Sequence, residues 1–140
     1  MDPQVKIIEC PRDALQGVRE FIPTAAKAAY VNALLGVGFD TVDFGSFVSP
    51  KAIPQMRDTA AVLSRLDLSE TRSKLLAIVA NTRGARDAAS FEEIDFLGFP
   101  FSISEIFQMR NTQKTIEQSL NVLDEVLNIA AVANKKVVTY

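Results

Sequence analysis

Residues 11–16 read PRDALQ and follow Val5–Glu9, a short β-branched run that reads as a strand. A strong cation, Arg12, and a strong anion, Asp13, are therefore neighbours at a strand's carboxyl end. Two chemistries suit that placement. Asp13 can cap a following turn while Arg12 forms a surface ion pair. Alternatively, Asp13 offers a hard oxygen to a divalent cation while Arg12 steadies an oxyanion on a substrate, with Pro11 fixing the backbone between strand and loop. The second chemistry-bearing stretch is DTVDFGSFVSPKAIPQM, residues 40–56. Asp43 stands in an otherwise apolar strand, and a buried carboxylate requires a partner. Arg12, reaching from the adjacent strand, would supply one, in a bridge that is either purely structural or part of a catalytic pair. Ser46, Ser49 and Lys51 can hydrogen-bond a substrate or shape a proline-bounded loop. Cys10 reads as a small buried strand residue. The chain contains no histidine, so no imidazole within these residues serves as base or metal ligand.

The elements that must hold these residues alternate. After Val5–Glu9, strand patterns recur at Thr41–Phe44, Leu75–Ala80, Ile94–Leu97 and Val137–Tyr140, several as nearly continuous apolar runs suited to parallel strands. Between them lie helical patterns. Thr24 is positioned to cap a helix whose Tyr30, Ala33, Leu34 and Val37 share a face, with Gly36 and Gly38 to stop it. Ile53, Met56, Ala60 and Leu63 form a second stripe opened by Pro54. A short third helix covers about 83–89. The fourth carries Ile116, Leu120, Leu123, Leu127 and Ala130 at helical spacing, ending near Asn134. These stripes are core-packing faces. Strand then helix, repeated and closed by a last strand, is α/β with a parallel sheet. Val5, Ile7, Ile78 and Phe96 are expected in its core. The long polar loops Pro11–Pro23 and Gly45–Pro54 both follow strand carboxyl ends, where barrel enzymes keep their chemistry.

The chain has 140 residues and a net charge of −2, with 48% hydrophobic and 23% charged residues. That length suits one domain, residues 1–140, with a real core. A complete eight-unit barrel takes roughly 250 residues, so the pattern amounts to about half of one. Its sheet would have two open edges, and the chain is expected to be one half of a longer barrel or to complete itself as a homo-oligomer. The acidic balance and the lack of a Lys/Arg run argue against nucleic acid as a partner. No apolar run approaches the ~20 residues needed to cross a bilayer, and the start carries no charged-then-apolar signal. The expectation is a cytoplasmic protein without membrane contact.

PRDALQ at 11–16 and SFVSPKAIPQM at 46–56 resemble the hydroxymethylglutaryl-CoA lyase family of metal-dependent barrel lyases. ANTRG at 80–84 and SEIFQMRN at 104–111 are similar to that family's loops after the third and fourth strands. The resemblance implies the amino-terminal half of a TIM barrel and an acyl-CoA substrate. It further implies retro-Claisen cleavage to acetyl-CoA and acetoacetate, the chemistry of leucine degradation and ketone-body metabolism, with Mg2+ or Mn2+ as cofactor. By the same resemblance Asp13 is the metal-binding aspartate and Arg12 the arginine that stabilises the enolate. Asp43, catalytic beside Arg12, stands where the family has a glutamate, and Gln16 and Ser46 are substrate-binding. The usual PRDGLQ is PRDALQ here, so Ala14 replaces a glycine, and Cys10 replaces another before the proline. The family's remaining ligands, two histidines and an asparagine, do not lie within these residues, so negligible activity and weak metal binding are expected of residues 1–140 alone. Two other readings keep the fold: a divergent lyase or aldolase acting on another hydroxy-acyl thioester, and a non-catalytic half-barrel that docks through its edges.

Overall fold

A computed structural model describes residues 5–140. Its five strands are β1 (Ile8–Glu9), β2 (Thr41–Ser46), β3 (Lys74–Ile78), β4 (Phe96–Phe99) and β5 (Lys136–Thr139). All pair in parallel, in the spatial order β1-β2-β3-β4-β5. The strand order never reverses, so right-handed crossovers carry every connection to the same side of the sheet. That one-sided covering is the barrel arrangement, and it agrees with the half-barrel expected from the alternating pattern.

The connections carry α1 (Pro11–Gln16) and α2 (Thr24–Val37) after β1, then a 3-10 turn (Pro54–Met56) and α3 (Thr59–Leu63) after β2. α4 (Thr82–Ala89) follows β3, and α5 (Glu105–Thr112) with α6 (Ile116–Val132) follows β4. The core lies between the helices and the outer face of the sheet. Val42, Phe44, Leu75, Ala77, Val79, Leu97 and Phe99 project toward the helices, where Val31, Leu35, Ala85, Ala88, Val126 and Ala130 meet them. Period-two alternation therefore sends Asp43 and Leu76 to the opposite, concave face.

Several helix faces differ from the sequence pattern. On α2 the buried positions are Lys27, Ala28, Val31 and Leu35, whereas Tyr30 and Val37 are exposed. The expected Tyr30–Ala33–Leu34–Val37 stripe is thus rotated outward. Lys27 is the reason: its ammonium pairs with Asp58 at 2.7 Å, so an amphiphilic side chain takes a core position that hydropathy assigns to a leucine. Thr24 does not cap α2; Pro23 stands at the N-cap and the Thr24 hydroxyl donates to Asp58 Oδ2 at 2.7 Å. Gly38 ends the helix in the left-handed conformation, φ 87°. On α6 the inward line is Ser119, Val126 and Ala130, and Leu120 and Leu127 face outward. Ser119 is drawn inward because its hydroxyl accepts from the buried Gln108 amide. In the second stripe, Gln55 and Thr59 share the buried positions with Met56 and Leu63.

β1 is shorter than its sequence pattern. Val5 is 85% and Ile7 58% exposed, so neither lies in the core, whereas Ile78 is buried and Phe96 partly so. An edge strand with one described neighbour has nothing to cover residues upstream of the pairing, and ladder contact begins at Ile8↔Thr41. α1 and α5 form where the sequence was read as loop. α5 is capped by Ser104, whose hydroxyl accepts from the Phe107 N–H.

Candidate functional site

The first strand stops because Pro11 has no N–H to continue the ladder, and its fixed φ opens α1 at the first helical position. One turn of helix then carries Arg12, Asp13 and Gln16 around the rim of the concave face. Ala14 sits inside this helix, where no positive φ occurs, so its backbone is unstrained. β2 contributes Asp43 just before its register shifts between Asp43 and Gly45, a bulge that bends the strand end.

Arg12 is buried and its guanidinium binds Asp43 from two nitrogens. Nη2 donates to Asp43 Oδ2 at 2.6 Å, and Nε donates to Oδ1 and Oδ2 at 3.2 and 3.1 Å. The acid is one methylene shorter than glutamate and still reaches, because Arg12 leans down over the strand end. Nη1 spends its two donors on Asp13 Oδ1 at 3.1 Å and Gln16 Oε1 at 3.0 Å. An arginine has five N–H groups. These contacts occupy four, leaving one Nη2 donor, and the Tyr140 hydroxyl lies within reach of the same guanidinium. Gln16 in turn donates to Asp13 Oδ1 at 3.2 Å, so the Asp13 carboxylate is held by one oxygen while Oδ2 remains unengaged among the described residues.

Burial raises the Asp43 carboxyl above the ordinary aspartate range, against the opposing pull of Arg12. Burial alone would lower Arg12, but the hydrogen bond and charge of Asp43 outweigh it and raise the guanidinium. Arg12 therefore stays a fixed cation. The Cys10 thiol is raised by desolvation and by the charge of Asp43, which keeps it neutral. Cys10 is exposed rather than a buried strand residue, since the strand ends before it.

These side chains border a cavity of about 400 Å³ whose walls are Ile8, Cys10, Arg12, Asp13, Asp43, Leu76, Val138 and Tyr140. Charge sits at the rim and apolar side chains form the floor, the arrangement in which a cation meets developing negative charge most strongly. Ser46 does not join this cluster. It is buried at the end of β2, its hydroxyl accepts from the Val48 N–H at 3.2 Å, and it borders a separate cavity of about 210 Å³ with Asn81, Arg57 and Arg83. The register shift between Asp43 and Gly45 lies between the two residues and separates them along β2. Tyr140 lines the same cavity as Arg12 and Asp43 although the sequence pattern did not mark it; it directly follows β5, and no local signal singles it out.

A network behind the site fixes the loop between α1 and α2. The buried Gln55 side chain accepts from the Ile22 N–H at 2.9 Å and donates to the Val18 and Glu20 carbonyls at 3.0 and 2.8 Å. Lys27 donates to the Gln55 carbonyl and to Asp58, and Arg57 stacks 3.6 Å over the Phe21 ring.

The residues present do not by themselves fit a divalent cation. Asp13 is the one rim carboxylate with a free oxygen, Asp43 is committed to Arg12, and no group of three His, Cys, Asp or Glu side chains converges among the described residues. Magnesium takes six oxygen ligands in near-octahedral geometry, and one carboxylate does not make that site. Among the described residues no helix is long and apolar enough to cross a membrane.

No family model matches the chain. Among curated proteins, the mitochondrial hydroxymethylglutaryl-CoA lyase of Bos taurus is 36% identical over 98% of this chain and 42% of its own length. The cytoplasmic 3-hydroxy-3-methylglutaryl-CoA lyase of Danio rerio is 35% identical over 90% and 37%. Among solved structures, the HMG-CoA lyase of Bacillus subtilis superposes with a TM-score of 0.91 at 33% identity, covering 98% of this chain and 46% of its own. An HMG-CoA lyase from Acinetobacter baumannii, in complex with coenzyme A and 3-methylmalate, gives 0.87 at 28% identity, covering 96% and 43%. The chain thus spans less than half the length of the curated relatives it matches. In sequence and in fold it is similar to the amino-terminal half of hydroxymethylglutaryl-CoA lyases.

Proposed function

We propose that residues 1–140 form one domain that supplies the arginine–aspartate part of a carbon–carbon lyase site, with hydroxymethylglutaryl-CoA as substrate. The observation that carries this reading is Arg12, buried and held from two nitrogens by Asp43, with one Nη2 donor left over at the rim of an apolar-floored cavity. In the reaction the 3-hydroxyl passes its proton to a base supplied from outside residues 1–140, and the alkoxide collapses to a ketone as the C2–C3 bond breaks. The electron pair of that bond passes to the thioester, releasing acetoacetate and giving the enolate of acetyl-CoA, whose C2 then takes a proton from an acid that also lies outside these residues. Charge thus appears on the thioester oxygen only during cleavage, and a guanidinium already fixed by Asp43 meets it without reorganising. Asp43 positions Arg12. Gln16 and Asp13 take up the other guanidinium nitrogen, so the remaining donor has one direction to point. A bound divalent cation would lower the cost of the alkoxide; Asp13 would be one of its ligands, and the others must come from outside residues 1–140. Closure of the sheet, by the second half of a barrel or by a second copy, is part of this reading, since the relatives are more than twice as long as their matched part.

A second reading, a lyase for another hydroxy-acyl thioester, draws on the substitution at Asp43 and on the 3-methylmalate complex of the neighbour. The deciding assay supplies hydroxymethylglutaryl-CoA and Mg2+ to the protein at its full natural length and follows acetoacetate. Cleavage is expected, with kcat reduced on the order of 10²–10³ in Arg12→Met. Cleavage of a different hydroxy-acyl-CoA alone moves the assignment to the second reading, and cleavage of neither removes the enzyme and leaves a docking half-barrel.

A further inference from the structure

Tyr140 enters the Arg12–Asp43 cavity from the far side. β1 and β5 are the outermost strands of the sheet, yet Ile8 and Cys10 from the β1 side and Val138 and Tyr140 from the β5 end border the same space. The curvature of the concave face brings the two ends together. The phenol can cross β4 because Gly98 is bare at that point: a Cβ there would lie 3.2 Å from the Tyr140 hydroxyl oxygen, and 2.6 and 2.9 Å from the tips of Ile78 and Leu76. The main chain holds the residue in place, with the Tyr140 carbonyl accepting from the Phe101 N–H at 3.0 Å. Resting on the lyase reading above, we infer that the Tyr140 hydroxyl, which lies beside the Arg12 guanidinium, is a second hydrogen-bond donor to the thioester oxygen that gains charge during cleavage.

The chemistry asks for a neutral donor at that spot. Two cations would bind the ground-state acyl group tightly through its carboxylate as well, whereas a phenol adds a directional contact that strengthens only as the oxygen gains charge. The surroundings keep it protonated: although Tyr140 is half-exposed, partial burial and then the charge of Asp43 push it up to about 12, against the opposing charge and hydrogen bond of Arg12. The phenol gives up no proton in the step; it donates to the oxygen while the C2–C3 electron pair moves onto the thioester. Leu76 and Val138 add apolar wall to the same space.

The test is steady-state cleavage of hydroxymethylglutaryl-CoA with Mg2+ by the protein at its full natural length. Tyr140→Phe keeps the ring and removes only the hydroxyl. The expected result is kcat lowered by ten- to a hundredfold with KM changed less than threefold, the signature of an interaction made in the transition state. Gly98→Ala, which pushes the hydroxyl aside without touching it chemically, is expected to lower kcat in the same direction, and to add less than twofold when combined with Tyr140→Phe. A parent that cleaves while Tyr140→Phe stays within twofold of it in kcat overturns the Tyr140 role and leaves the lyase reading standing. A Tyr140→Phe defect confined to KM overturns it as well. A parent that cleaves no hydroxy-acyl-CoA defeats the lyase reading, and this role falls with it.

Discussion

Replacing Asp43 with leucine tests whether Arg12 is held by charge or merely by packing. Arg12 is 8% and Asp43 1% exposed, and the pair shares contacts at 2.6, 3.1 and 3.2 Å. Asp43→Leu removes all of them and leaves a guanidinium away from water. Breaking a buried pair from one side costs about 3–5 kcal/mol. Asp13 and Gln16 still hold Nη1, so the lower end of that range applies, about 3 kcal/mol. For a domain of this size that loss lowers the melting temperature by roughly 10 °C. The converse follows from the same physics. Both charges paid a desolvation penalty on folding, so removing them together in Arg12→Met/Asp43→Leu leaves a well-packed apolar pair within about 1 kcal/mol of the parent. Urea unfolding followed by far-UV circular dichroism, extrapolated linearly, measures all three variants against the parent, and the double-mutant cycle isolates the coupling between the two sites. A single variant that costs less than about 1 kcal/mol, or a double variant that costs the sum of the singles, refutes the claim that the pair is electrostatically bound.

Tyr140 offers a spectroscopic check. In residues 1–140 carrying Tyr30→Phe, absorbance near 295 nm reports Tyr140 and is expected to rise around pH 12, two units above an ordinary tyrosine; Asp43→Asn should bring the midpoint down. The folded value lies above the unfolded one, so the native state keeps a proton that the unfolded chain releases, and stability falls as pH climbs from about 10 to about 12. Gly84→Ala places a Cβ 2.6 Å from the Phe47 carbonyl oxygen, a backbone atom with little room to yield. Its expected cost is about 2 kcal/mol by urea unfolding, and a loss under about 0.5 kcal/mol would mean the β2 loop is freer than its packing implies. Gln55→Ala strands the Val18 and Glu20 carbonyls and the Ile22 N–H. Hydrogen exchange should rise at residue 22 well before the rest of α2, with a stability loss of about 2 kcal/mol; unchanged protection there would show that the clamp holds nothing.

Most of the architecture was legible because it depends on period and order. Apolar runs separated by helical stripes require parallel strands, whereas the choice of a barrel over an open sheet rested on the long polar loops at strand ends and on the family resemblance. The Arg12–Asp43 contact was legible too, since a carboxylate in an apolar strand requires a cation and Arg12 was the one placed at the adjacent strand's end. What hydropathy missed has a single physical source, the polar side chain that finds a partner inside. Lys27 with Asp58 turned α2, and Ser119 with Gln108 turned α6. A scale that scores each residue alone assigns those positions to solvent. Ser46 borders a different cavity from Asp43, beyond a register irregularity that periodicity does not reveal. Tyr140 escaped because its importance lies in a curvature that no local pattern encodes.

The Gln55 clamp bears on how such a rim can evolve. Loops that shut over a ligand swing as independent flaps; here the segment after the first strand is riveted through its own main chain to the segment after the second, so neither can travel without the other. Lengthening 18–22 by even one residue would pull three amide groups off their common anchor. Tuning of this half of the mouth is therefore confined to exchanging side chains on a fixed frame.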